Sequence, residues 1–160
     1  MTALEQKTVL IVDDIEDNRV LIERALRTSG HRLVSVDSGN AALSWMSSNM
    51  PDIVLLDWMM PGISGLDTLR AIREQHSPAR LPVIMCTAVG EEELVVGALE
   101  AGANDYIIKP ISIPILRARM STHMAQSAAV IALNAEKDEA RRRITEQRKQ
   151  FFQRQGSITL

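Results

Sequence analysis

A single cysteine, Cys86, stands in 160 residues, so no disulfide can close within the chain, and a reducing compartment fits that usage. No apolar run comes near the ~18 residues that a membrane-spanning helix needs. The N-terminal Met1-Thr2-Ala3-Leu4-Glu5-Gln6-Lys7 has no apolar stretch of leader length. We therefore expect a cytoplasmic protein with no membrane contact. Neither sign of charge dominates: 18 basic against 20 acidic side chains leave a net charge of −2, which gives no broad field for DNA or other nucleic acid. Internal repeats and low-complexity tracts are lacking too. His31, His76 and His123 lie apart without ligand spacing, which argues against a nitrogen-liganded metal. What is there is globular: 46% apolar and 24% charged, long enough for one well-buried domain and a surplus.

Short apolar runs alternate with helical spacing along the chain. Val9-Leu10-Ile11-Val12 stops at Asp13-Asp14, and Val20, Leu21, Ala25 and Leu26 follow at helical intervals, with Asp17 or Asn18 suited to the first turn and Ser29-Gly30 to the stop. Leu33-Val34-Ser35-Val36 is a second strand, after which Ser38 can cap a helix over Ala41, Ala42, Trp45 and Met46. Ile53-Val54-Leu55-Leu56 reads as a strand buried on both faces, the centre of a parallel sheet, and it ends on Asp57. A turn through Pro61-Gly62 leads to a helix carrying Leu66, Leu69 and Ile72. Pro82-Val83-Ile84-Met85-Cys86 ends at Thr87-Ala88, and Glu91-Glu92-Glu93 then places acids in a helix's first turn, where the helix dipole favours them. Tyr106-Ile107-Ile108 ends at Lys109-Pro110. Connections this short force right-handed crossovers. The expected fold is α/β, a flavodoxin-like doubly wound sheet of five parallel strands in the order 2-1-3-4-5 with an extended C-terminal helix.

The organisation predicted is a domain over residues 1–122 and a helical extension over 123–160. Beyond Leu116 no strand follows, and the stretch to Gln153 is helix-prone. Leu133, Ala140, Ile144, Gln147 and Phe151 step by seven, four, three and four, compatible with a short coiled-coil seam. Arg141-Arg142-Arg143, Arg148 and Lys149 are interspersed with Glu136, Glu139 and Glu146, the pattern of a solvated face rather than a nucleic-acid patch.

In a parallel sheet the residues that follow the strands share one edge, so Asp13, Asp14, Asp57, Thr87 and Lys109 converge there. Two carboxylates ~4 Å apart repel by about 4 kcal/mol at an effective dielectric near 20, which makes three of them costly without a cation. Ligation by oxygen alone selects a hard ion, and Mg2+ fits best. With the repulsion offset, one carboxylate can attack a phosphoryl group, with Lys109 neutralising charge and the Thr87 hydroxyl donating to an oxygen.

Asp13-Asp14, Asp57 with Pro61-Gly62 and Gly65, Thr87-Ala88, Tyr106 and Lys109-Pro110 resemble the receiver domain of bacterial two-component response regulators, over roughly Lys7 to Met120. The resemblance implies that Asp57 accepts phosphate from a histidine kinase or phosphotransfer protein. It implies that Asp13, Asp14, Asp57 and the Met59 backbone carbonyl bind Mg2+. It further implies that Thr87 and Tyr106 form a switch and that the Lys109-Pro110 bond is cis. A signalling domain rather than an enzyme is expected. Its output would run through a homodimer, formed by the face of the fourth helix, fifth strand and fifth helix or by the C-terminal helix, or through a downstream output domain beyond this chain. The apolar excess at Leu94, Val95, Val96 and Leu99 suits such a partner surface. Two alternatives compete. A Mg2+-dependent phosphatase or phosphotransferase would want a second acid two residues after the nucleophile, where Met59 stands; a receiver-like scaffold that is never phosphorylated would have no need of the full acidic set.

Overall fold

The computed structural model describes residues 5–88 and 92–156; Glu91, expected in a helix's first turn, lies outside them. Five strands, β1 (Thr8–Val12), β2 (Arg32–Val36), β3 (Ile53–Asp57), β4 (Val83–Thr87) and β5 (Asp105–Ile108), pair in parallel in the order β2-β1-β3-β4-β5. That is the flavodoxin-like order expected from the alternation of strand and helix. β1, β3 and β4 are buried along nearly their whole length, which is why they read as unbroken apolar runs.

The sheet is covered on both faces. On one, α2 (Gly39–Met46), α3 (Gly65–Gln75) and α4 (Glu92–Glu100) pack over Leu10, Val12, Val54, Leu56, Val83 and Met85. On the other, α1 (Glu16–Leu26) and the start of α5 (Ile113–Gly156) cover Val9, Ile11, Ile53, Leu55, Ile84 and Cys86 with Ile22, Leu26, Leu116 and Met120. Burial of these aliphatic side chains, at about 1.5–3 kcal/mol each, is the main favourable term of the fold.

Caps fix where the helices begin. Ser38 accepts from the Ala41 amide at 3.0 Å, as expected, and Ser64 accepts from Asp67 at 3.1 Å. A short 3-10 turn, Arg27–Ser29, closes α1 and hands over to Gly30 at φ +78°. At the sheet edge opposite the acidic residues, the Arg73 guanidinium donates to the carbonyls of Gly102, His76 and Leu81 and to Asn104 Oδ1. Burial pushes this group down to about 10, and among the described residues no carboxylate pairs with it.

The chain divides into two compact units at Ser127/Ala128. The expected boundary after Thr122 falls inside α5, which is still held to the first unit further along: Ser127 donates to the Arg80 carbonyl at 2.7 Å. The second unit is a solvated helix. Leu133, Ile144, Phe151 and Phe152 on it are exposed, Arg143 pairs with Glu139, and the two phenyl rings meet edge to face at 6.0 Å.

Candidate functional site

Parallel pairing brings the ends of β1, β3, β4 and β5 to one edge, and the polar residues predicted to converge do so. Asp13 is 2% exposed, Asp57 5% and Thr87 4%. Oxygens of Asp13, Asp14 and Asp57 lie within 4.8 Å of one another. The ammonium of Lys109 donates to Asp13 Oδ2 and Asp57 Oδ1, each at 3.0 Å. The backbone holds these positions: the Lys109 amide donates to the Thr87 carbonyl at 2.7 Å, and Trp58 to Cys86 at 3.0 Å. Gly65, the first residue of α3, lies so close under Asp57 that a Cβ there would come 2.1 Å from the Asp57 carbonyl oxygen.

Charge balance in the pocket is uneven. Burial raises the Asp57 carboxyl above its usual range, an effect that the nearby Lys109 only partly offsets. Burial lowers Lys109, but its bonds to Asp13 and Asp57 outweigh that and hold it above the usual lysine value. The same ion pair thus secures the charge on the lysine while leaving that on Asp57 costly. One lysine among three acids leaves room for a further cation. Asp14 Oδ1 is buried with no hydrogen-bond partner, an arrangement that costs about 1–3 kcal/mol unless something fills it. With oxygen as the only donor type, the cluster fits a hard divalent ion.

Two polar residues at this edge escaped the sequence reading. Asn18 Nδ2 donates to both oxygens of Asp13, at 3.3 and 3.2 Å, and Arg19 donates to the Asp13 carbonyl at 2.8 Å. The only signal was an Asn-Arg pair in the first turn of α1, beside the acids. Tyr106 is half-buried on β5; its amide is held by Asp105 and its carbonyl by Arg119, and Asp105 also takes His123 at 2.9 Å. Behind it lies a narrow apolar cavity of about 10 Å³ lined by Trp58, Met85, Thr87, Leu94, Val95, Ala98 and Tyr106. The side chain of Met59 is 69% exposed. The Lys109-Pro110 bond is cis.

A model of the response regulator receiver domain matches residues 9–121. The chain belongs to the response regulator receiver family. This receiver is similar to the phosphate regulon transcriptional regulatory protein PhoB of Pseudomonas aeruginosa, at 40% identity over 114 residues, 71% of this chain and 50% of that protein. It is 36% identical to the chemotaxis protein CheY of the same organism over 113 residues, 70% of this chain and 91% of that one. Among solved structures, the receiver domain of the Francisella response regulator 1452 superposes with a TM-score of 0.71 at 29% identity, covering 76% of this chain and 99% of the other. The receiver spans about half the length of the PhoB relatives. It is thus a signalling domain of the two-component type. No helix among the described residues is long and apolar enough to cross a membrane.

Proposed function

We propose that this receiver takes a phosphoryl group on Asp57 from a histidine kinase or phosphotransfer protein in the cytoplasm. Mg2+ would be held by Asp13, Asp14, Asp57 and the Met59 carbonyl. The observation that carries the reading is the trio of carboxylates within 4.8 Å, two of them bridged by a single lysine and the third with a buried oxygen left without a partner. When bound, the ion supplies neutralisation of the carboxylates and of the phosphoryl oxygens. A carboxylate oxygen of Asp57 forms the new O–P bond as the bond from phosphorus to the donor breaks. Lys109, kept protonated, turns its ammonium from the carboxylates to a phosphoryl oxygen, and the Thr87 hydroxyl donates to another.

The cavity beside Thr87, about 10 Å³, has room for about one water molecule. A phenol ring therefore enters it only if Thr87 moves toward the phosphoryl group first, which would tie the Tyr106 ring to the state of Asp57. Met59, two residues past Asp57, is neither acid nor base, which favours a phosphoacceptor over a phosphatase turning over external substrates.

For the output we favour self-association through the C-terminal helix, with Leu133, Ala140, Ile144, Gln147 and Phe151 as a coiled-coil seam. The other dimer mode uses the outer face of α4, where Val96 and Leu99 are exposed among Glu92, Glu93 and Glu100. A two-fold contact of α4 on itself would oppose like charges. An output through DNA, suggested by the names of the PhoB relatives, finds little support in a basic run that is interleaved with acids.

Acetyl phosphate with Mg2+ tests the acceptor. The wild type should gain one phosphoryl group by mass spectrometry and Asp57→Asn none; modification of the mutant to the same extent would refute the assignment.

A further inference from the structure

We propose that Asn18 is a positioning residue for the metal site: its amide occupies the share of the Asp13 carboxylate that a divalent ion would take. The proposal rests on the reading of the acidic pocket as a Mg2+ site. An ionised carboxylate offers about four lone-pair positions. On Asp13 all four are engaged: Oδ1 accepts from the Ile15 amide at 2.9 Å and from Asn18 at 3.3 Å, and Oδ2 from Lys109 at 3.0 Å and Asn18 at 3.2 Å. Asp14, its neighbour, is the opposite case, with a buried oxygen that nothing engages. A cation entering between them displaces nothing at Asp14 and must displace a donor at Asp13.

The donor that yields at least cost is Asn18. The Ile15 amide is fixed in the backbone of the turn into α1. Lys109 is a full charge shared with Asp57. The Asn18 amide is neutral, and both its contacts exceed the 2.9–3.0 Å at which such bonds are most often found. It is half-buried in the first turn of α1, so a change of rotamer withdraws it while the backbone stays in place. The Arg19 bond to the Asp13 carbonyl keeps the main chain fixed while the carboxylate exchanges partners. Asn18 thus fills lone pairs of Asp13 and competes with a metal for them.

Competition has a signature that a merely structural bond lacks. Removing Asn18 weakens only the metal-free state, so affinity for the metal rises by linkage. Isothermal titration of the full chain with MgCl2 should give a dissociation constant for Asn18→Ala roughly three- to tenfold below the wild type, the scale of one long, half-exposed bond to a charged acceptor. In EDTA the mutant should melt below the wild type, and the gap should close at saturating Mg2+. Asp17→Ala, on the exposed side of the same turn, should leave the Mg2+ dissociation constant unchanged, and any melting difference from the lost first-turn charge should be the same in EDTA and in Mg2+. Equal or weaker Mg2+ binding by Asn18→Ala, or a melting gap that persists in Mg2+, overturns the proposal while leaving the metal site intact. Absence of any Mg2+ binding by the wild type overturns the underlying reading of the pocket instead.

Discussion

Gly65 and Gly97 are both helical glycines, yet replacing each by alanine should move stability in opposite directions. A Cβ on Gly65 would sit 2.1 Å from the Asp57 carbonyl oxygen and 2.9 Å from Asp57 C and Trp58 Cα. All three obstacles are backbone, so no side chain can swing away, and α3 or the end of β3 must shift by about 1 Å. Overpacking of this kind costs about 1–3 kcal/mol, occasionally more, and the absence of a flexible neighbour puts Gly65→Ala at the upper end. The gain of alanine over glycine in a helix returns at most about 1 kcal/mol, leaving a net loss of about 2 kcal/mol. A Cβ on Gly97, inside α4, meets nothing within 4 Å, so Gly97→Ala should keep the whole gain of about 0.5–1 kcal/mol. Urea unfolding decides the matter. With a slope of about 1–3 kcal/mol/M, the Gly65→Ala midpoint should fall by about 1 M and that of Gly97→Ala should rise by a few tenths. Because the obstacle is the carbonyl of the phosphoacceptor itself, Gly65→Ala should also slow modification by acetyl phosphate. A Gly65→Ala protein that unfolds within about 0.5 kcal/mol of the wild type, a normal surface effect, would refute the close approach of α3 to Asp57 and the positioning role drawn from it.

Lys109→Ala removes two bonds to carboxylates from a side chain 19% exposed; discounted for that exposure, the loss in EDTA should be about 2–3 kcal/mol by urea unfolding, and Mg2+ should recover part of it. Since the pocket raises Lys109 above 10.5, its folded pKa exceeds the unfolded one. While its carboxylate partners stay ionised, the contribution should therefore hold in full up to pH 10.5 and vanish as pH climbs through the folded value, which a pH series on wild type and mutant would reveal. Cys86, buried and with its thiol pushed from 9.0 up to about 12, should react with iodoacetamide at pH 8 far more slowly in the folded protein than in urea; equal rates would contradict its burial. Truncation after Ser127 keeps the bond to Arg80 and the buried Leu116 and Met120. The shortened chain should sediment as a monomer with or without beryllium fluoride, and a persistent dimer would move the interface onto the globular unit.

The strands and their order were legible because burial writes itself into local composition: a run such as Ile53 to Leu56 has no polar residue to spare for a solvent face, and each run ends where the sheet meets water. The convergence of Asp13, Asp14, Asp57, Thr87 and Lys109 followed from parallel pairing alone. Contacts set by loop geometry were not legible. Arg73 looks like a last-turn charge of α3, yet it is drawn inside by three carbonyls and by Asn104, contributed by loops up to 31 residues away. Ser64 was within reach of sequence reading, since Asp67 stands three residues on, where a cap's partner belongs.

Asn18 shows most clearly why the remainder stayed hidden. By composition Asp17 and Asn18 both suit the first turn of α1, yet α1 begins at Glu16 behind Ile15, which has no side chain able to cap. The capping work has moved upstream: Asp13 Oδ1 accepts from the Ile15 amide two residues on, an Asx turn that swings the chain from β1 into the helix. With the turn already made by a carboxylate of the pocket, Asn18 is released from capping and its amide faces back to that same carboxylate. The entry to α1 and the acidic pocket therefore share one residue. Any change in what Asp13 binds must be felt at the first turn of the helix, and hydrogen exchange at the Ile15 to Arg19 amides, slower in one metal state than the other, is where that coupling should be read.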